Sequence, residues 1–279
     1  MRMQVALIGF GEAGSTFASA AGWNGATTAF DRLTDSESTR AGMLARYSSS
    51  HVDGKTTLAD AMGSTNAALS VVTAEQALAV AHDAARHVEH GSFYFDMNSV
   101  APETKRDAAR VIEAVGGRYV DVAVMSPVDP ARLNVPLLVS GPHADDGKAV
   151  LQMLGFTNVR VLPGDVGRAS SVKMIRSVMV KGIEALTAEM LLAGEAAGVT
   201  DEVLASLGDG WAKRADYNLD RMLVHGTRRA AEMREVAKTL EALGVAPAMT
   251  RATVQRQSEF GAIDAGSPDG LSAKLRLAA

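Results

Sequence analysis

The sequence predicts an α/β fold with three parts: an N-terminal doubly wound parallel sheet, a long inter-domain helix and an all-α C-terminal domain. Three observations support this prediction. Short apolar runs alternate with alanine-rich helical stretches through about the first 160 residues, and a glycine-rich loop follows the first run. Beyond about residue 165 the strand-like runs stop, and apolar residues recur with helical spacing.

The apolar runs are short, and several of them are unbroken by polar residues. Unbroken runs are typical of strands buried on both faces, as in a parallel sheet. Helical stretches at 74–88 and 101–115 lie between such runs, which is the alternation expected of a doubly wound domain. The predicted strands are residues 3–8, 27–30, 67–72, 93–95, 119–122, 136–139 and 159–162.

The second half of the chain has the spacing of helices. From about 168 to 193 apolar residues recur at steps of three and four, which predicts one long helix. Pro163-Gly164-Asp165 precedes it, so we predict a first domain at residues 1–164 and an all-α domain at 165–279. The further predicted helices are residues 201–207, 211–224, 228–243 and 247–258.

The composition is that of an ordinary globular protein, with 47% hydrophobic and 22% charged residues among 279. The formal net charge of −4 does not indicate a nucleic-acid or membrane-surface partner. No run approaches the ~18 apolar residues that a membrane span needs. Because the sequence contains no cysteine, disulfides and zinc–cysteine sites are excluded, and we expect a cytoplasmic protein.

The loop Gly9-Phe10-Gly11-Glu12-Ala13-Gly14 is a G-x-G-x-x-G pattern between a predicted strand and a predicted helix. The first glycine permits the tight turn, the second lets the backbone approach a pyrophosphate, and the third lets helix and strand pack closely. Asp31 follows at the distance where a Rossmann-type fold places the acid that binds the ribose hydroxyls. The alternative is a glycine turn with an unrelated loop aspartate.

The loop predicts NAD or NADP as the cofactor. Asp31 repels a 2′-phosphate and so favours NAD, whereas the adjacent Arg32 can hold that phosphate or cover the adenine. The two signals conflict, and on balance we expect NAD.

The long predicted helix carries a row of polar residues on one face. Lys173, Ser177 and Lys181 follow one another at steps of four, with Arg176 adjacent. Burial among apolar residues lowers the pKa of a lysine, and a neutral amine can accept a proton from a hydroxyl near pH 7. The alternative is a basic stripe that faces solvent.

Three segments resemble the β-hydroxyacid dehydrogenase superfamily, which includes 6-phosphogluconate and 3-hydroxyisobutyrate dehydrogenases. The resemblance is closest to a little-characterised branch with a phosphogluconate-dehydrogenase-like C-terminal domain, and it extends over essentially the whole chain. It implies that Lys173 is the catalytic lysine and that Asn98 and Ser99 lie near the nicotinamide and the substrate hydroxyl. The segments are the glycine loop, residues 96–102 (Asp-Met-Asn-Ser-Val-Ala-Pro) and residues 167–177.

Asn98 and Ser99 also have a structural interpretation, as caps of a helix that starts at Ala101-Pro102. Both roles are compatible. Thr73, at the end of a predicted strand, is a further candidate for cofactor binding.

The chain departs from the family where the substrate carboxylate is bound. Met125-Ser126-Pro127 replaces the family's Ser-Gly-Gly, so Met125 and Ser126 become the candidates for substrate binding there. Ser177 stands where the family usually has asparagine, and Val180 replaces the glutamate of 6-phosphogluconate dehydrogenases. The missing glutamate argues against oxidative decarboxylation of 6-phosphogluconate.

A basic tract at 225–234 is typical of this branch. His225, Arg228, Arg229 and the more distant Arg176 are candidates for holding an anionic substrate, since guanidinium groups suit carboxylate and phosphate. The alternative is a solvated helix start with internal pairs such as Arg228–Glu232. The spacing of the histidines supports no metal site.

These observations predict an NAD(P)-dependent oxidoreductase acting on a CH–OH group, with Lys173 as general acid/base. The expected substrate is small and anionic, a β-hydroxy acid or a related alcohol or semialdehyde. Two alternatives remain: an imine reductase-like enzyme, although those enzymes usually lack this lysine, and a dinucleotide-binding sensor or structural protein without turnover. The resemblance also implies a homodimer formed through the all-α half.

Overall fold

The computed structural model describes residues 3–263, 266 and 268–278. The chain forms two compact units, Met1–Lys173 and Met174–Ala279, each of which is described by itself. The division falls inside the long helix that follows residue 167, whereas the sequence places the domain boundary in the loop just before this helix.

The first unit is built on one eight-stranded sheet, which confirms the predicted α/β class. All seven predicted strands are present within a few residues of their expected bounds. The strand order is β3-β2-β1-β4-β5-β6-β7-β8. The strands are β1 Met3–Ile8, β2 Gly25–Phe30, β3 Asp53–Gly54, β4 Ala67–Ser70, β5 Phe93–Asp96, β6 Arg118–Val124, β7 Leu137–Ser140 and β8 Val159–Val161.

Both faces of this sheet are buried. Val5 and Leu7 of β1 belong to one apolar cluster, and Ala6 and Ile8 belong to another. Because successive side chains of a strand point to opposite faces, the two clusters lie on opposite sides of the sheet. The helices of this unit are α1 Glu12–Ala18, α2 Glu37–Ser49, α3 Leu58–Met62, α4 Ala77–Ala84, α5 Pro102–Ala114 and α6 Ala144–Met153.

The sheet departs from the prediction of purely parallel strands at one edge. β7 pairs with β6 in the antiparallel direction, and β8 then pairs with β7 in parallel. Parallel neighbouring strands need a long crossover connection, usually a helix. Residues 125–136, which connect β6 to β7, contain no α-helix, so this connection suits antiparallel pairing. The sequence also gave no sign of β3, because two residues are too short for an apolar run.

The second unit is helical. It contains most of α7 (Arg168–Ala197), then α8 Thr200–Ser206, α9 Trp211–Ala242, α10 Ala248–Gly261 and α11 Leu271–Ala278. Leu219, Met222 and Phe260 lie in its main apolar cluster. Among the described residues, no helix has the length and apolarity needed to cross a membrane.

One helix, α9, replaces two predicted ones. The sequence predicts a break between 224 and 228, yet α9 runs through this segment without interruption. Gly226 lies where α9 crosses α10, and a Cβ there would come within 2.4 Å of the Gln257 carbonyl oxygen. The prediction of two helices was wrong because this glycine permits close helix packing and does not end the helix.

Candidate functional site

The three glycines of the loop after β1 have different surroundings. Gly9 has a φ of +89°, and a Cβ there would lie 2.9 Å from the Val71 carbonyl oxygen. A Cβ at Gly14 would lie 2.6 Å from the Gly9 carbonyl oxygen. A Cβ at Gly11 would meet nothing within 4 Å. The outer two glycines are therefore required by packing, while Gly11 leaves open space over the backbone, which fits the approach of a dinucleotide phosphate.

Asp31 directly follows β2 and is tied to this loop. Its Oδ2 accepts the Phe10 N–H at 2.7 Å, and its Oδ1 accepts the Leu33 N–H at 2.9 Å. Arg46 of α2 donates to the Phe10 carbonyl oxygen at 3.2 Å, and Arg32 is exposed. Asp31 therefore has a structural role beside its predicted role in ribose binding, which stays a prediction.

Lys173 and Ser99, far apart in the chain, lie in contact. The Nζ of Lys173 donates to the Ser99 Oγ at 2.5 Å, and both residues are half-buried. Ser99 stands three residues beyond β5, and Lys173 lies in the second turn of α7. The structure thus brings the predicted acid/base lysine to the hydroxyl that was predicted to lie near the substrate.

Asn98 connects the ends of β4 and β5. Its buried side chain accepts the Val72 N–H at 2.7 Å and donates to the Ser70 Oγ at 2.9 Å. Its own N–H donates to the Asp96 Oδ1 at 2.9 Å. Thr73 follows Val72 and is exposed at the same edge of the sheet. The Asn98 amide therefore orders the backbone of this edge, and its contact with a cofactor stays a prediction.

A row of buried polar side chains crosses the sheet beside this edge. Ser70, Asp96, Asp121 and Ser140 stand opposite one another on β4, β5, β6 and β7, and none is more than 1% exposed. Lys105 of α5 is fully buried against the row. Its Nζ lies 2.9 Å from the Asp96 Oδ1 and 3.5 Å from the Asp121 Oδ1.

Tyr119 extends this network within β6. Its hydroxyl donates to the Asp96 Oδ2 at 2.7 Å. Burial, with the charges of Asp96 and Asp121 as further causes, raises the pKa of Tyr119 well above its usual value near 10. The phenol therefore remains a neutral hydrogen-bond donor at physiological pH.

Asp121 and Ser140 cap the start of α7. The Asp121 Oδ2 accepts the N–H groups of Gly167 at 3.0 Å and Ser170 at 3.1 Å, while the Ser140 Oγ accepts the Ala169 N–H at 2.9 Å. These groups belong to the N–H donors that a helix leaves without an internal partner at its beginning. A carboxylate at this position also stabilises the helix through its dipole.

Asp96 is the first residue of the 96–102 segment, whereas Asp121 and Lys105 were not predicted to lie near the site. A signal for Lys105 is present in the sequence. On α5 the buried residues Pro102, Lys105, Ala109 and Ile112 follow helical spacing, so a lysine occupies a core position. A lysine on the apolar face of a helix needs a buried partner, and aspartates at the ends of buried strands can supply one.

The candidates for substrate binding after β6 lie near the end of that strand. The N–H of Met125 donates to the Pro136 carbonyl oxygen at 2.9 Å, and its side chain packs on Ala123 and Leu138. Ser126 is half-buried, and its Oγ lies 3.2 Å from the Pro127 carbonyl oxygen. The substrate contacts of both residues stay predictions.

Within the second unit, Arg229 belongs to a buried ion pair. Its Nε donates to the Glu184 Oε2 at 3.0 Å and its Nη2 donates to the Oε1, while Gln257 donates to the Oε2 at 2.9 Å. Holding a substrate anion would require this guanidinium to leave its partner. The predicted role of Arg229 therefore gains no support from the geometry.

The remaining candidates of the second unit differ in exposure. Arg176 is exposed, Ser177 is buried, and His225 is half-buried. Lys181, from the same helix face as Lys173 in the sequence, pairs with Glu232 at 2.6 Å. The alternative pairing of Arg228 with Glu232 stays a prediction.

Comparisons with known proteins bear on this site. Residues 4–158 match the family described as the NAD binding domain of 6-phosphogluconate dehydrogenase, and residues 195–260 match a domain of unknown function, DUF1932. A conserved hypothetical protein from Sinorhizobium meliloti 1021 is 35% identical, with a TM-score of 0.73, and the match covers 100% of this chain and 96% of that chain.

Two more distant structures share the fold. Mycobacterium tuberculosis 3-hydroxyisobutyrate dehydrogenase is 16% identical with a TM-score of 0.73, and the match covers 99% of each chain. A reductive aminase from Aspergillus terreus is 18% identical with a TM-score of 0.59, over 99% of this chain and 98% of that chain. The fold is therefore shared by a protein named as a dehydrogenase and one named as a reductive aminase.

The glycine loop, the sheet that carries it and the match over 155 residues agree with the resemblance read from the sequence. The chain belongs to the family described as the NAD binding domain of 6-phosphogluconate dehydrogenase.

Proposed function

We propose that the protein is an NAD(P)-dependent oxidoreductase acting on the CH–OH group of a small β-hydroxy acid or a related alcohol or semialdehyde. The observation that carries the proposal is the 2.5 Å hydrogen bond from the Lys173 Nζ to the Ser99 Oγ. It joins a half-buried amine to a hydroxyl just beyond the end of a parallel strand, and open α/β sheets bind ligands outside such ends.

The residues around the loop suit a dinucleotide. The open backbone at Gly11 would receive the pyrophosphate, and Asp31 and Arg32 would meet the adenosine ribose. Thr73 and Asn98 stand at the strand ends toward which the nicotinamide would extend. When bound, the nicotinamide supplies the hydride acceptor or donor.

Lys173 and Ser99 divide the proton chemistry between them. In the oxidative direction the neutral Nζ of Lys173 accepts the proton of the substrate hydroxyl as the carbinol C–H bond breaks, and in the reductive direction the ammonium returns that proton. Ser99 holds the amine in place and offers its own hydroxyl to the substrate oxygen. A half-buried position suits this role, because the amine is held by Ser99 and is still accessible to a substrate.

The substrate is expected to be anionic, although the family's Ser-Gly-Gly carboxylate site is absent. Ser126, at the loop after β6, is the nearest hydroxyl in sequence to that site, and Met125 directly precedes it. Arg176, Ser177 and His225 remain candidates for holding the rest of the substrate.

The test combines binding and turnover. Quenching of NADH and NADPH fluorescence measures dinucleotide affinity, and turnover is measured over a panel of β-hydroxy acids, semialdehydes and a cyclic imine. We expect Lys173→Ala to lower kcat by ~10²–10⁴-fold while the dinucleotide Kd changes less than about twofold. Lys213→Ala, which removes an exposed lysine of α9, is the matched control and should behave as wild type.

The alternatives predict different outcomes of the same test. Turnover of the imine alone would indicate an imine reductase-like enzyme, whose fold this chain shares. Dinucleotide binding without turnover in any assay, with Lys173→Ala indistinguishable from wild type, would indicate a sensor or structural protein. Either result would overturn the proposed activity on a CH–OH group.

The choice between NAD and NADP is tested at Asp31. We propose a preference for NAD, because a carboxylate repels a 2′-phosphate. Asp31→Asn removes the charge and keeps one side-chain oxygen, which can accept from either the Phe10 or the Leu33 N–H, so it should weaken NADH binding and strengthen NADPH binding. A wild-type protein that binds NADPH more tightly would show that Arg32 decides the preference.

The second unit supports the proposal of a homodimer. Ile175, Met179 and Leu186 on α7 are each at least half exposed, which leaves an apolar stripe on this helix. A second copy of the chain is the proposed occupant, as the family resemblance implies. Sedimentation equilibrium should give a dimer for the wild type and a monomer for Met179→Glu, and a wild-type monomer would contradict the proposal.

A further inference from the structure

Two buried carboxylates bind the chain segments that carry Ser99 and Lys173. Asp96 ends β5, three residues before Ser99, and Asp121 lies opposite it on β6. The fully buried ammonium of Lys105 lies 2.9 Å from an oxygen of Asp96 and 3.5 Å from an oxygen of Asp121. The proposed general acid/base chemistry uses none of these three charged groups.

We propose that Asp96, Lys105 and Asp121 form a positioning device that sets the Lys173 Nζ against the Ser99 Oγ. The inference rests on the proposed function of Lys173, which it deepens. Asp96, Lys105 and Asp121 are positioning residues, because they act through the backbone that carries the reactive pair.

Asp96 fixes the segment that carries Ser99. Its Oδ1 accepts the Asn98 N–H at 2.9 Å as well as the Lys105 ammonium. The Lys105 Nζ also donates to the Asp96 carbonyl oxygen at 2.5 Å, so both the side chain and the main chain of Asp96 are bound. The backbone immediately before Ser99 therefore has little freedom to move.

Asp121 fixes the helix that carries Lys173. Its Oδ2 accepts the N–H groups of Gly167 and Ser170, and Ser140 accepts that of Ala169. The N–H of Arg168 donates to the Asp165 carbonyl oxygen at 3.2 Å. The donors from 167 to 170 are thus all satisfied, and the first turn of α7 is held one turn before Lys173.

Lys105 links the Asp96 carboxylate to the Asp121 carboxylate. Two carboxylates in neighbouring strands repel each other, and a buried carboxylate without a cation or donors is strongly disfavoured. Because both carboxylates lie close to the same Lys105 ammonium, their positions depend on each other. The segment before Ser99 and the start of α7 are therefore both positioned relative to this one charge. Displacement of reacting groups by about 1 Å can lower the reaction rate ~10²-fold, so residues that fix their positions protect the rate.

The first experiment measures the placement of α7 without any need for turnover. Hydrogen exchange is followed by mass spectrometry in the peptide covering 167–173 of the full chain. Asp121→Asn and the milder Ser140→Ala should raise exchange there by roughly tenfold. Thr65→Val, which removes a buried hydroxyl bonded to the Met62 carbonyl oxygen, is the matched control and should leave this peptide within about twofold of wild type.

The second experiment measures the environment of the amine itself. The acylation rate of Lys173 by an amine-reactive ester is compared with that of Lys213 in the same sample. Release of the Ser99 contact should raise the Lys173 rate several-fold in Asp121→Asn and Ser140→Ala, with no rise in Thr65→Val. Unchanged exchange and acylation in both variants, or equal changes in the control, would overturn the proposal.

The third experiment asks whether Asp121 acts through Lys173. In the active enzyme Asp121→Asn should lower kcat by roughly ten- to a hundredfold while the KM for the dinucleotide stays within about twofold. In a Lys173→Ala background the same substitution should have less than about a twofold further effect. Equal losses in both backgrounds would assign Asp121 a merely structural role.

The outcomes separate this proposal from the proposed function. If the wild type turns over no substrate, the proposed function fails, and exchange and acylation still decide whether the device positions Lys173. If the wild type is active but the variants match the control in all three experiments, the device fails and the proposed function stands. If Asp121→Asn does not fold, Ser140→Ala decides the outcome.

Discussion

Each compact unit contains a cluster of buried charged residues. The carboxylates of the first cluster accept hydrogen bonds from backbone N–H groups, and the carboxylate of the second accepts them from side chains. In the first unit, Asp96 and Asp121 flank Lys105 and accept backbone N–H groups at two chain segments. In the second unit, Glu184 accepts from the side chains of Arg229 and Gln257. The first cluster therefore orders main chain beside the candidate reactive groups, whereas the second connects the helices α7, α9 and α10.

Removing the cation of the first cluster should have the largest effect. Lys105→Met leaves two buried carboxylates without their cation, and we expect the free energy of unfolding to fall by about 3–5 kcal/mol. Urea unfolding followed by circular dichroism measures this loss. Adding Asp96→Asn and Asp121→Asn should restore much of it, and a loss below about 1 kcal/mol in the single variant would contradict the prediction.

The same change in the second cluster should have a smaller effect. In Arg229→Met the carboxylate of Glu184 keeps the Gln257 amide as a donor, so we expect a loss of about 2–3 kcal/mol. The control is Arg229→Met combined with Glu184→Gln, which removes the unpaired charge and should recover part of the loss. A loss larger than that of Lys105→Met would reverse the ranking of the two clusters.

Glycine-to-alanine substitutions compare how tightly the backbone is packed in the two units. A Cβ would contact backbone at Gly14 in the first unit and at Gly226 in the second, so each change to alanine should cost about 1–3 kcal/mol. Gly11→Ala is the matched control, because nothing lies near its Cβ, and its stability should stay within about 0.5 kcal/mol of wild type.

Gly11→Ala should nevertheless lower NADH affinity by roughly tenfold or more, since its methyl group would occupy the space of the pyrophosphate. Fluorescence quenching measures this affinity. Wild-type affinity in Gly11→Ala would exclude the predicted pyrophosphate site.

Alkaline pH should give the smallest effect and should act on the first unit. Burial raises the pKa values of Tyr47, Tyr94 and Tyr119, all in this unit, above their usual value near 10. A group whose pKa is raised in the folded state contributes stability below its unfolded pKa and loses it as the pH rises. We therefore expect unfolding free energy to fall above pH ~10, and less steeply in Tyr119→Phe.

The sequence was sufficient for those parts of the fold that local patterns encode. Unbroken apolar runs identified the buried strands, and the spacing of residues 168–193 identified α7, because burial imposes these periods directly. The glycine loop was also readable, since its three glycines form a short local pattern, and two of them, Gly9 and Gly14, are required by packing. The direction of β7 and the continuity of α9 through Gly226 were not readable, because both depend on neighbours distant in sequence.

The candidate site shows the same limit. A motif pointed to Lys173 and Ser99 separately, yet their contact depends on strand order and on the start of α7. Lys105 occupies an apolar position of α5. Only the register of β5 and β6 shows that the carboxylates of Asp96 and Asp121 lie next to its ammonium group. Conversely, Arg229 had the residue type of an anion ligand, and its partner Glu184 lies 45 positions away in the chain.

The hydrogen bond between the Met125 N–H and the Pro136 carbonyl oxygen closes the ladder of β6 and β7 at the base of their connecting loop. Beyond this rung, Val128, Leu133 and Val135 are buried in the main apolar cluster of the first unit, whereas Asp129, Pro130 and Asn134 are exposed. Such an arrangement lets evolution, or an engineer, exchange the exposed loop residues while the buried ones keep the core packed. Substitution at these exposed positions, with the three buried residues retained, is thus a direct route to redirecting this scaffold.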